Sequence, residues 1–73
     1  MSMVNRRVNV VHSEELEQMR LCGIVGCKGK VAEHVFGHKG KMIGYMVCLD
    51  KSFQGECLWF VPKDAVADEE DSQ

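Results

Sequence analysis

Hydrophobic and polar residues alternate with a period of two over 7–11, where Val8 and Val10 flank Asn9, and this β-branched pattern predicts a half-buried first strand. The pattern then changes. Ser13 can cap the free amides of a helical turn, and Glu14 and Glu15 follow where a helix dipole favours negative charge. A short helix is expected near 13–20, with Leu16 and Met19 facing the core and Gly23 ending the segment. Leu stands at position 16, where the full capping box would place Glu or Gln. Alternation returns over 30–36 and 42–49, joined by the polar stretch 37–41 as a hairpin. A turn over 50–55 leads to an aromatic-rich strand over 56–61, which Pro62 ends because proline offers no amide to a ladder. Lys63 and Asp64 turn the chain so that Val66 returns to the core as a short last strand. The fold class expected is mainly β, a small five-stranded antiparallel barrel with one short helix after the first strand.

All seven glycines fall between positions 23 and 55, which suits tight turns between short strands. Alternation puts Tyr45, Val47 and Leu49 on one face of their strand, with Met46 and Cys48 on the other. Val8 and Val10, the spacing Gly26, Gly29, Val31, the hairpin into Tyr45, Val47 and Leu49, and Phe60 followed six residues later by Val66 together resemble an SH3-like barrel over about 7–66. The relatives in view are KOW-type domains and electron-transport accessory barrels, including a photosystem I accessory subunit and the variable chain of ferredoxin-thioredoxin reductase. Small phage or mobile-element proteins of unassigned function share a similar aromatic-proline turn. The resemblance implies a core of Val8, Val10, Val31, Val47, Leu49, Phe60 and Val66, and with Phe60 inside, Trp59 falls on the outer face.

Length limits what such a chain can do. With 73 residues it buries only about 60% of the surface that its unfolded form exposes, which argues against a deep catalytic pocket. No apolar run approaches the roughly 20 residues needed to span a bilayer, and the first residues lack a signal-peptide core, so a cytoplasmic location is expected. Net charge is −2, but five of the eleven acidic residues lie in the last ten positions. The body, 1–63, carries nine basic against six acidic residues, a net of +3. The acidic stretch 67–73 is expected to be a disordered tail and 1–6 a flexible N-terminus, on either side of the barrel at 7–66.

The side chains that could carry chemistry are few. Cys22, Cys27, His34 and His38 offer C-x4-C and H-x3-H spacings for a zinc set, but 30–36 reads as a strand rather than the helix that usually presents such histidines. Cys22, Cys48 and Cys57 are instead expected as small buried residues, with the histidines exposed. Cys27 beside Lys28 could have an activated thiol, with His34 or His38 as base, though nothing in sequence places them within reach. The Lys28-Gly29-Lys30 and Lys39-Gly40-Lys41 repeats lack the spacing of a phosphate-binding loop. No catalytic residue, metal or cofactor is therefore expected. The surface signal is stronger: lysines combined with five aromatic residues on a small sheet that cannot bury them all. The expected function is a non-catalytic interaction or accessory module that contacts another protein through Trp59, Phe53, Lys39 and Lys41. The alternatives are a KOW- or Tudor-like nucleic-acid-binding domain using Lys28, Lys30, Lys39 and Lys41, and a zinc-stabilised module.

Overall fold

The computed structural model of the protein describes residues 2–69. Strand β1 (Arg7–Val10) is followed by helix α1 (Glu14–Gln18), then by β2 (Lys28–Phe36), β3 (Met42–Phe53), β4 (Glu56–Pro62) and β5 (Val66–Asp68). Short 3-10 turns occupy Cys22–Ile24, His38–Gly40 and Lys63–Ala65. The strands form one antiparallel sheet in the order β4-β3-β2-β1-β5, mainly β as the alternation predicts. The sheet is unclosed, with β4 and β5 as its two edges.

Its core is Val8, Val10, Leu16, Ile24, Val31, Tyr45, Val47, Leu49, Val61 and Ala65, all buried. Val8, Val10, Val31, Val47 and Leu49 therefore point inward as expected, and Val66 packs against them half-buried. Phe60 does not join this core. Tyr45 pairs with Val61 and Val47 with Trp59, and residues directly opposite in a ladder share a face, so Val61 and Trp59 turn inward while Leu58 and Phe60 turn outward. Gly44 makes room for that arrangement, since a Cβ there would lie 2.8 Å from the Phe60 ring and would run into the Val61 carbonyl oxygen.

Ser13 caps α1 as its hydroxyl predicts, accepting the Leu16 amide at 3.1 Å. The end of the helix differs from expectation. Arg20, at φ 59°, turns the chain out of the helix, and the Leu21 amide donates to the Leu16 carbonyl while the Arg20 amide donates to that of Glu17. That is a Schellman closure with arginine where glycine is usual. Met19 consequently lies at the helix end, 40% exposed, rather than in the core.

Strands β2 and β3 depart from plain alternation. Between the pairs Val31↔Val47 and Glu33↔Met46 one extra residue, Ala32, bulges from β2, and between Val35↔Gly44 and Phe36↔Met42 the extra residue is Ile43 on β3. Strand β3 also runs on to Phe53, so the expected turn over 50–55 contracts to Gln54 and Gly55, at φ 53° and 83°. Positive φ at both central residues is the twist that a two-residue hairpin demands.

Ala67 and Asp68 pair with Asn9 and Val8, so they belong to the sheet; residues 70–73 of the expected tail lie outside the described residues. The Met3 amide donates to His34 Nε2 at 2.8 Å, the Asn5 amide to the Val31 carbonyl at 2.8 Å, and the Val31 amide to the Arg6 carbonyl at 3.0 Å. Residues 3–6 thus run along β2 through these bonds.

Candidate interaction surface

The four lysines that cluster in sequence separate in space. Lys28 and Lys30 open β2, whereas Lys39 and Lys41 sit at the tip of the β2–β3 hairpin, so β2 holds the pairs roughly 20 Å apart at about 3.3 Å per residue. Lys28 of the first pair is drawn into an ion-pair network. Lys28 Nζ lies 3.6 Å from Glu69, Arg7 Nε lies 3.5 Å from the same carboxylate, and Arg6 pairs with Asp68. The Arg7 guanidinium also grips Asp50 with both terminal nitrogens, at 2.7 and 2.5 Å, bridging β1 to β3 across β2. This fork holds the Asp50 carboxyl below its ordinary range, first through the hydrogen bonds from Arg7 and then through the nearby charges of Arg7, Lys28 and Lys30.

At the tip, the Gly37 amide donates to the Lys41 carbonyl at 2.7 Å and Lys39 adopts φ 65°, which fans His38, Lys39 and Lys41 into solvent. Beside them lie two apolar side chains that the sequence reading did not single out: Phe36, 61% exposed, and Ile43, 43% exposed. The sequence carries a faint signal for them, because each adjoins a glycine at a strand end, where a bulge can turn a side chain outward. The Phe36 ring stacks on His34 at 6.3 Å, and His34 meets Tyr45 edge-on at 5.2 Å, so a line of rings runs from the core to the exposed tip.

Phe53 and Trp59, expected to share a contact site with Lys39 and Lys41, lie at the opposite end of β3. Their rings meet in a T at 5.5 Å, the Trp59 indole donates to the Glu56 carbonyl at 2.9 Å, and both pack half-buried against the core. A Cβ on Gly23 would come within 2.7 Å of the Phe53 ring, so this glycine lets the 3-10 turn close over the aromatic pair.

Cys22, Cys48 and Cys57 are exposed rather than buried, and all four cysteines are free thiols. Among the described residues, Cys22, Cys27, His34 and His38 do not come together as a metal-binding group. Half-buried Cys27 borders an open hollow of about 330 Å³ with Gly26, Lys28, Asp50 and Lys51, and no histidine lines it. Among the described residues no helix is long and apolar enough to cross a membrane. Comparison with protein-family models, curated proteins and solved structures gave no match to this chain.

Proposed function

We propose that the chain is a non-catalytic protein-interaction module of SH3-like barrel type, acting in the cytoplasm, that uses the β2–β3 tip to hold an acidic, apolar-containing segment of another protein. The observation that carries this reading is the pairing of exposed Phe36 and Ile43 with the cationic Lys39 and Lys41 at the tip. An apolar anchor ringed by one sign of charge is the ordinary composition of a specific contact. The barrel type is supported by the strand order, with β1 between β2 and β5, by α1 inserted after β1, and by the 3-10 turn before β5. Free, exposed thiols suit a reducing compartment.

Selection of displayed random peptides on the immobilised chain tests the reading. Enriched peptides are expected to combine Asp or Glu with an apolar side chain and to lose binding to Phe36→Ser and to the double variant Lys39→Glu, Lys41→Glu, both with unchanged circular dichroism. No enrichment, or enrichment indifferent to those changes, overturns it.

One observation favours nucleic acid as a second reading. An exposed aromatic ring flanked by lysines is also a platform on which a single-stranded base can stack. Two lysines would give a salt slope of only about −1.4 for single strands, and Lys28 is already drawn to Glu69, so the electrostatic drive is small. Salt-sensitive oligonucleotide binding that is lost in the lysine double variant would decide for it.

A further inference from the structure

The other end of the sheet carries a separate feature. Strand β4 is an edge, and among the described residues no backbone hydrogen bond joins its outer side to another segment. Exposed edges are ordinarily guarded by lysine, an inward charge, proline or a bulge. From Cys57 to Val61 β4 has no lysine, inward charge or proline: it reads Cys-Leu-Trp-Phe-Val, with Glu56 before it and Pro62 and Lys63 after it, and the ladder irregularity opposite Cys57, between the pairs Cys48↔Leu58 and Phe53↔Glu56, is carried by extra residues of β3. Leu58 is 49% exposed on the outer face, and half-buried Phe60 lies two residues along on the same face. Directly across the ladder, Cys48 and Met46 continue this apolar strip on β3. Helix α1 packs against β4 and the following 3-10 turn from the core side, with Leu16 inward, which leaves the outer face of β4 clear.

We propose that the β4 edge pairs antiparallel with β4 of a second copy of this chain, on a two-fold axis at Trp59. The segment is self-complementary in that register. Leu58 lies opposite Phe60 of the second copy and Phe60 opposite its Leu58, which joins the two outer apolar strips. Glu56, at the start of the strand, comes opposite Pro62 and beside Lys63 of the second copy, so the opposite charges at the two ends of β4 meet twice. An isologous contact of this kind closes on itself as a dimer and does not propagate. Its main-chain hydrogen bonds extend the sheet from five to ten strands. The contact is narrow, so association belongs in the micromolar range or weaker.

Sedimentation equilibrium in reducing buffer, which removes disulfides between exposed thiols, is the test. Average mass should rise from monomer towards dimer with concentration, and the β4 amides should exchange more slowly with deuterium as it does. Leu58→Lys, at a site already half exposed and so tolerated by the monomer, should abolish the dimer. Glu56→Lys and Lys63→Glu should each weaken it about five-fold by placing like charges together, and the two combined should restore it. Phe36→Ser should leave it intact, which separates this interface from the hairpin tip. A monomer at every concentration, or a dimer indifferent to Leu58→Lys and to the charge exchange, overturns the proposal.

Discussion

Arg20 holds a left-handed backbone conformation that costs a non-glycine residue roughly 1 kcal/mol. It does so because the α1 closure needs that geometry, and its side chain is exposed. Arg20→Gly is therefore expected to raise unfolding stability by about 0.5–1 kcal/mol, less the larger chain entropy that glycine confers on the unfolded state, as read from urea denaturation. Trp59 and Phe60 show how one position of register redistributes energy. With Trp59 packed between Phe53 and the core, Trp59→Ala should cost about 2–3 kcal/mol, below the range for a fully buried ring. Phe60→Ala, on the outer face, should cost about 1–2 kcal/mol. Equal costs, or Phe60 the costlier, would mean that the β4 register differs from the one described. Alternation showed that Trp59 and Phe60 lie on opposite faces but not which face is inside, because both neighbours of Trp59 are also apolar. The deciding fact is the pairing of Val61 with Tyr45, a contact between residues 16 apart in sequence.

Among the elements, the hairpins and the capped helix were legible because their signals are local: Ser13 before an acidic turn, and glycines and lysines between runs of β-branched residues. What was not legible depends on partners distant in sequence. Asp68 reads as part of an acidic tail until Arg6 and the β1 edge are beside it, and Met3 looks free until His34 accepts its amide. The Arg7–Asp50 fork is another such contact, spanning 43 residues to fasten β1 to β3. Because the folded Asp50 carboxyl ionises more readily than in the unfolded chain, the fork's contribution is present above about pH 3.9 and is lost as pH falls through the lowered folded value. Asp50→Asn is expected to flatten that part of the acid side of the stability profile while changing stability less as the acid limit is approached. A profile that keeps the wild-type slope in the variant would show that Asp50 does not supply it.

For the whole molecule, composition separated a mildly basic body from acidic residues near its end, yet Glu69 lies back against Arg7 and Lys28. Lys28, Lys30, Lys39 and Lys41, named together in the nucleic-acid alternative, do not form one patch, because a nine-residue strand separates the two pairs. Of the expected contact residues, Lys39 and Lys41 lie together at an exposed tip, and Phe53 and Trp59 pack half-buried against the core at the other end of β3. The exposed apolar side chains at that tip are Phe36 and Ile43, turned outward beside a β3 bulge that no periodic pattern encodes.

The β1–β5 pairing also sets an order of assembly. The β3–β4 hairpin closes around two residues, whereas Val8 meets Asp68 only after almost the entire described chain has been looped between them. Loop-closure entropy grows with the logarithm of length, so the two hairpins can form early on their own turns while β5 must wait for β1 to be in place on β2. Growth then proceeds outward from β3, and opening runs in reverse. Three residues long and held on one side only, β5 is expected to be the first strand to detach, releasing the Asp68 and Glu69 carboxylates from the arginines of β1 and its approach before the hydrophobic core begins to open.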